Sequence, residues 1–370
     1  MEEKRTRRKR RKKKKNVWKY VLIGLAVVIA AVGVGAYCVL RYYHSLLDYQ
    51  PIEEMTEAAT EAPTEFVEET DEVTLAPPAS DDEVKDLEQQ LQENLEAMQN
   101  SSMQDVDAFN LLLIGVDTRG SDFSGRSDSM ILISIQKSSK RIVATSLLRD
   151  IFVSIPGHGT NRLNAAYAYG GMPLLTETIR ANLGISVDRC VVVNFSLVMD
   201  FLNTMGGVDL EVTNEEIPNM NRNIADQNRV FGEDLSADQI PEGSGGFMHL
   251  NGKQALAYAR VRYVGTDFKR TERQRTILQL CFDKVRGMGI GDLNDLAHEY
   301  FPRIRTDLTE GDCAYLLLEM LKMSDYSMET MTIPVEGSWN YKTIRGMSVI
   351  TVDFGMNAEA WSEKVIGSGN

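Results

Sequence analysis

From Asp107 onward, short apolar runs alternate with helical spacing. Asn110–Ile114 (NLLLI) has strand length and closes at Gly115. Ser129–Gln136 and Arg141–Leu148 are two more such runs, split by the turn-like 137–140. Val191–Phe195 and Val208–Val212 follow, and Met328–Ile333 and Ser348–Val352 come late in the chain. Helical patterns intervene at about Pro173–Leu183, Ser196–Met205, Gly252–Tyr258, Lys269–Val285 and Leu308–Met323, and the chain closes on an amphipathic segment. Near-continuous apolar runs fit strands covered on both faces. Residues 107–370 are therefore predicted to form one α/β domain, a central mixed sheet covered by helices.

The first hundred residues have a different texture. Val17–Leu40 carries no charge after Lys19 for 21 residues, which as a helix spans about 30 Å and would cross a bilayer core. Trp18, Tyr20, Tyr42 and Tyr43 flank it as interfacial aromatics do. A cleaved signal peptide has a shorter apolar core and a small-residue cleavage site, and Ala-Tyr-Cys before Val39 is a poor one. The run is read as an uncleaved signal anchor at 17–40. Residues 41–80 are rich in acid, Thr and Pro, and read as a disordered tether. In 81–106, Ser80 can cap a helix on which Val84, Leu87, Leu91, Leu95 and Met98 form an apolar stripe. That stripe would dock on its own domain, on the membrane or on a second chain.

Charge sharpens this picture. The chain of 370 residues has a formal net charge of −13, which by itself argues against an anionic partner. The total is an average over unlike parts. Residues 1–16 carry eleven Lys/Arg and two Glu. Residues 51–106 carry seventeen Asp/Glu against Lys85 alone. The domain from 107 onward keeps only about −7. A basic tail at 1–16 beside an apolar span is expected to stay in the cytoplasm, placing the domain outside the cell. Cys38, Cys190, Cys281 and Cys313 form no CxxC, and the four His form no HExxH. A disulfide framework and a Cys- or His-ligated metal site are excluded on that basis.

Inside the mildly acidic domain, chemistry-bearing residues gather at strand ends. Asp117 and Arg119 follow the first strand across Gly115, Arg126 and Asp128 border the second, and Arg149 and Asp150 end the third. Open α/β sheets bind ligands beyond their strand ends. Residues 260–275 then hold Arg260, Arg262, Lys269, Arg270, Arg273 and Arg275 against only Asp267 and Glu272. On a helix, Arg270, Arg273 and Gln274 would share a face. Arginine forks bind phosphate bidentately and stay charged when desolvated. Carboxylates beside such a cluster suit Mg2+ and an anionic substrate. The chain has no GxxxxGK[ST] and no nucleophile elbow. The ordinary alternatives are turn chemistry for each Asp and a solvated face for the Arg run.

The segments NLLLIGVDTRG (110–120), RSDSMILISI (126–135), SLLRD (146–150), RLNAAYAYGG (162–171), GGVDL (206–210) and LNGKQALAYARVRY…DFKRTERQ (250–274) resemble the LytR-CpsA-Psr family, in the same order. The resemblance implies a phosphotransferase moving a glycopolymer, such as wall teichoic acid or a capsule-like polysaccharide, from a polyprenyl-pyrophosphate carrier to peptidoglycan. It implies that Asp117 and Asp128 hold Mg2+ and that Arg149 contacts the phosphates beside Asp150. Arg260, Arg262, Arg270, Arg273 and Gln274 match the family's cluster around the head group, and Arg119, Arg126, Arg162 and Asn164 match further positions near it. Three departures stand out: Leu147-Leu148 replace Ile-Pro before Arg149, Arg162 replaces a Lys, and Lys269 replaces a Gly. Two rivals share this residue set: an envelope regulator that binds lipid-linked precursors without turnover, and a hydrolase of the lipid pyrophosphate. A DNA-binding reading is opposed by the expected topology and by the domain's charge.

Overall fold

The computed structural model describes residues 35–51, 76–99, 107–117, 123–262, 267–320 and 326–367. The chain-order elements are β1 (Asp48–Tyr49), α1 (Asp81–Gln99), β2 (Phe109–Val116), β3 (Ser127–Gln136), β4 (Arg141–Leu147), β5 (Phe152–Ile155), β6 (Gly159–Arg162) and α2 (Leu163–Leu183). Then come β7 (Arg189–Asn194), α3 (Phe195–Thr204), β8 (Val208–Val212), α4 (Ile217–Phe231), β9 (Gly246–Leu250), α5 (Gly252–Ala259) and α6 (Asp267–Arg286). The last are α7 (Ile290–Tyr300), β10 (Arg305–Thr306), α8 (Glu310–Met320), β11 (Ser327–Ile333), β12 (Trp339–Ile344), β13 (Met347–Val352) and α9 (Phe354–Ile366).

The predicted mixed sheet is present, with seven strands in the order β1-β10-β7-β2-β3-β4-β11. Strand β3 pairs antiparallel with both β2 and β4. Strand β7 is parallel to β2, and β11 is parallel to β4. It follows that β2, β4, β7 and β11 all point one way and share one carboxyl edge, where β3 begins. The apolar runs at 208–212 and 348–352 do not join this sheet. They form hairpins of their own, β8–β9 and β12–β13. Helix α2 packs on β3, and α9 on β3 and β4, and the core there includes Leu112, Ile114, Leu132, Leu175, Ile179 and Trp361. A second core, with Leu202, Val208, Met220, Ile224, Leu250 and Ala255, joins α3, α4 and α5 to the β8–β9 hairpin.

The Gly170-Gly171 pair breaks α2 in two, with Gly171 at φ +60°. The second half therefore starts near the predicted Pro173. Helix α1 settles the question of its stripe by docking on its own domain. Leu91 and Met98 are buried, and Val84 and Leu87 pack on the main core. Ser80 and Glu83 exchange capping bonds, the Ser80 N–H donating to Glu83 at 2.8 Å and the Glu83 N–H to Ser80 Oγ at 3.3 Å.

The expected tether from residue 41 is ordered at its start. Residues 35–44 are helical and β1 forms an edge strand parallel to β10. Tyr43 donates to Asn294 at 2.6 Å, and Arg305 donates to Asp48 at 2.9 Å. The rest of that tether, 52–75, and the predicted span up to residue 34 lie outside the described residues. Among the described residues no helix is long and apolar enough to cross a membrane.

Candidate active site

Strand register brings the acidic and basic ends together. Ile131 faces Ser146 across the β3–β4 ladder, so continuing the pairing sets Asp128 opposite Arg149. Arg149 Nη1 donates to Asp128 Oδ1 at 2.6 Å. Val116 pairs with Asn194 in the parallel β2–β7 ladder, so Asp117 and Phe195 leave the sheet side by side. Gly115 sits where the β2–β3 register shifts, and a Cβ there would come within 3.1 Å of Ser129 Cβ. A side chain at Gly115 would crowd the bulge that aims Asp117.

The second half of the site arrives from α5 and α6. Asn251 caps α5 through a capping box with Gln254, and Arg260 is the residue at its far end. Arg260 Nη2 donates to Asp117 Oδ2 at 3.0 Å, and its guanidinium lies 5.2 Å from the Phe195 ring centre. Asp128, Arg149, Phe195, Arg260, Arg262, Arg270 and Gln274 enclose one small pocket at the carboxyl edge of the sheet. Arg149 Nε donates to Asp150 Oδ2 and Arg162 Nη1 to Asp150 Oδ1, both at 3.3 Å. Arg270 pairs with Asp267 at 3.2 Å. The Asn164 N–H donates to the Arg149 carbonyl at 3.1 Å, which fixes the backbone behind that guanidinium.

Burial makes these charges matter. It pushes the Asp128 carboxyl up, and Arg149, Arg262 and Arg270 more than offset it, holding the group below the usual carboxylate range. For Asp150 burial wins: with Asp267 and Asp128 also nearby, its carboxyl is raised despite Arg149 and Arg270. Burial and the neighbouring Arg149 push Arg270 down to about 10. Arg270 Nε is buried with no hydrogen-bond partner among the described residues, as is Asn164 Oδ1. An orphaned buried donor is costly, and a phosphate oxygen would satisfy it.

Not every expected ligand joins the pocket. Arg273 donates through Nε to Glu216 at 2.7 Å and through Nη1 to the Val261 carbonyl at 3.2 Å. Its expected place on one face with Gln274 gives way because successive helical residues point about 100° apart. Arg126 directly precedes β3, and Arg119 lies outside the described residues. The sequence reading had not singled out Phe195, Asp267 or Tyr341 for the site. Burial, then the nearby Asp267 and Asp150 carboxylates, push the Tyr341 phenol up to about 12. Phe195 was marked only as the end of an apolar run.

A second small pocket, of about 30 Å3 and walled largely by apolar side chains, adjoins the first. Asp117, Phe195, Ser196, Met199, Gln227, Val230, Phe231, Leu256 and Arg260 line it, so it shares Phe195 and Arg260 with the arginine-lined pocket. A larger cleft of about 670 Å3 lies between α1 and the β12–β13 hairpin. It contains none of the clustered arginines.

The LytR_cpsA_psr family model matches residues 76–363. The chain belongs to the LytR-CpsA-Psr family. That span takes in α1 as well as the sheet and the arginine cluster, so the family unit starts before the domain boundary read at 107. A polyisoprenyl-teichoic acid–peptidoglycan teichoic acid transferase TagU of Enterococcus faecalis is 31% identical over 217 residues, 57% of this chain and 65% of that protein. The chain thus spans slightly less than two thirds of that relative. Biofilm regulatory protein A of Streptococcus mutans is 34% identical over 191 residues, 48% of this chain and 44% of that protein. Among solved structures, the LytR-CPS2A-psr family protein YwtF (TagT) with bound octaprenyl pyrophosphate lipid superposes with a TM-score of 0.51 at 22% identity. It covers 73% of this chain and 94% of that one, and it establishes the shared fold.

Proposed function

We propose that this protein is a phosphotransferase that moves a glycopolymer from a polyprenyl-pyrophosphate carrier to peptidoglycan. The observation that carries the reading is the meeting of Arg149, Arg260, Arg262 and Arg270 in one pocket that shares its Phe195 wall with a small, largely apolar pocket. That pairing suits a ligand with a diphosphate head and a hydrocarbon tail. The names of the TagU relative and of the lipid-bound YwtF structure support it.

In this reading the arginines bind the diphosphate and lower the cost of charge spreading in the transition state. A sugar hydroxyl of the acceptor attacks the glycan-linked phosphorus. The new P–O bond forms as the bridging P–O bond breaks, and polyprenyl phosphate leaves. The hydroxyl proton passes to a site carboxylate. Asp117 and Asp128 would hold Mg2+. Both are oxygen donors at the same edge of the sheet, Asp117 just past the end of β2 and Asp128 at the start of β3, and the Asp128 carboxyl is held below the usual range. Mg2+ often takes one or two carboxylates and completes its shell with water and phosphate. When bound, Mg2+ supplies further charge neutralisation at the diphosphate.

The apolar span read at 17–40 would anchor the chain with its N-terminus in the cytoplasm and its catalytic domain outside. The helical stretch 35–44 and β1 would then tie the span's end to the sheet. Protease treatment of intact cells should remove the domain and spare the tail.

The decisive assay is transfer by detergent-solubilised full chain, with lipid-pyrophosphate glycan, peptidoglycan and Mg2+. Undiminished transfer by Asp128→Ala or Arg262→Ala protein would sink the site assignment. Release of glycan phosphate to water even with peptidoglycan present would mark a hydrolase. The name of the Streptococcus mutans relative keeps one second reading in view, an envelope regulator. Lipid binding that persists in EDTA without turnover would favour it.

A further inference from the structure

We propose that Phe268, Trp339 and Tyr341 form the acceptor subsite, an aromatic shelf on which a pyranose ring of the incoming glycan strand stacks beside Asp267. This deepens the transferase reading and rests on it.

The three rings are packed in series. Phe268 and Trp339 have centroids 5.0 Å apart at 37°, and Trp339 and Tyr341 are 5.1 Å apart, edge to face. The shelf adjoins the chemistry directly. Phe268 follows Asp267 in the chain, Asp267 pairs with Arg270 of the phosphate pocket, and Phe268 packs on Trp339, which packs on Tyr341. The hairpin that carries Trp339 and Tyr341 is pinned to the site, because the Ile350 N–H donates to the Asp150 carbonyl at 2.9 Å.

Packing alone does not require these rings to stay partly exposed. Trp361 on α9 shows what a packing tryptophan looks like here, with 2% of its surface exposed. Phe268, Trp339 and Tyr341 pack against the main core on one side and are partly open to solvent on the other. Aromatic faces carry partial negative charge. The axial C–H faces of a pyranose are apolar and weakly positive, while its hydroxyls lie around the rim. A ring on the shelf would bury its apolar face and offer rim hydroxyls to the Asp267 carboxylate, an acceptor-only group.

Geometry separates acceptor from donor. In-line transfer puts the nucleophile and the leaving group on opposite sides of the phosphorus. The small, largely apolar pocket meets the phosphate pocket through Phe195 and Arg260, and the shelf meets it through Arg270 and Asp267. The leaving lipid phosphate thus has one surface and the attacking sugar another.

The test uses the full chain in detergent micelles and a tetrasaccharide of alternating N-acetylglucosamine and N-acetylmuramic acid. Trp339→Ala should raise the KM for the tetrasaccharide about tenfold, the loss of one aromatic stacking contact, with donor KM unchanged. Trp339→Phe should retain most of the wild-type value. Calorimetric titration of the tetrasaccharide should show binding in wild type that weakens in parallel. An unchanged acceptor KM with active enzyme overturns the shelf alone, as does a change confined to donor KM. Equal thermal destabilisation by both variants, with acceptor KM following it, also overturns the shelf and makes the rings a packing cluster. Wild-type protein that binds the tetrasaccharide through Trp339 without transfer keeps the shelf and sinks the transferase. Protein that neither binds nor transfers it sinks both.

Discussion

Helix α6 carries two kinds of arginine within six residues. Arg270 lies in the phosphate pocket, buried, with one ion pair to Asp267 and a Nε that no described residue satisfies. Arg273 is equally buried, but its Nε meets Glu216 at 2.7 Å, and Glu216 is itself buried. Arg275 points elsewhere again, donating to Ser146 Oγ at 2.7 Å and Thr332 Oγ1 at 2.9 Å at the ends of β4 and β11. Residue type, charge and neighbourhood in sequence are nearly the same for all three. What differs is the element that the fold sets against each. A charge met by a buried carboxylate becomes a strut between α6 and α4. A charge left with unmet donors beside other cations becomes a site for an anion that is not part of the protein.

Substitutions should separate these roles. Arg273→Ala leaves the buried Glu216 without its counter-ion, held by Thr213, so it should cost about 3–5 kcal/mol of stability, seen as an early melt. Replacing both partners, Arg273→Met with Glu216→Leu, should recover most of that loss. A double variant as unstable as the single one would refute the strut. Arg270→Ala should behave in reverse. Transfer should fall about 10²–10³-fold, the cost of removing a preorganised charge donor, while the melting temperature holds or rises.

Acid titration sharpens the contrast at Asp128. Its folded carboxyl lies below the usual range because Arg149, Arg262 and Arg270 outweigh burial. The stabilisation is therefore full above the unfolded value of about 3.9 and is lost as pH falls through the depressed folded value. The stability gap between wild type and Asp128→Asn should be open at pH 7 and close under strong acid. A gap that stays constant across that range would show that the charge pair is not its source. The smallest effect is expected for Arg275→Ala, about 1–2 kcal/mol from lost hydrogen bonds to two hydroxyls, with transfer little changed at saturating substrate.

Much of the site was legible before the fold was known. Asp117, Asp128, Arg149 and Asp150 announce themselves as charges placed at the ends of apolar runs, and the strand periods were strong enough to locate the runs themselves. The five helices α2, α3, α5, α6 and α8 were placed within a few residues at most of their ends. The exception was α2, whose first half was hidden by the Gly170-Gly171 break. Helices α4 and α7 escaped notice. Their polar faces are wide: Asn, Arg, Asp and Gln fill much of 217–231, and the apolar stripe there is thin. Strands β5, β6 and β12 are short or of mixed polarity, for which alternation is a weak signal, whereas β13 was read at Ser348–Val352.

The amino-acid order by itself determined the α/β class, the segregation of charge into a basic tail, an acidic stretch and a mildly acidic domain, and the residue types of an anion site. Local spacing suffices for these, because strand and helix periods and charge runs are properties of neighbours in the chain. Only the tertiary structure decided that Arg270 faces the pocket while Arg273 braces Glu216, that α1 lies on its own domain, and that Tyr341 reaches Asp267 from 74 positions later in the chain. Those facts depend on which surfaces the sheet and its crossovers bring together. A periodic pattern says which side of a helix is apolar, but it does not say what a buried charge will find there.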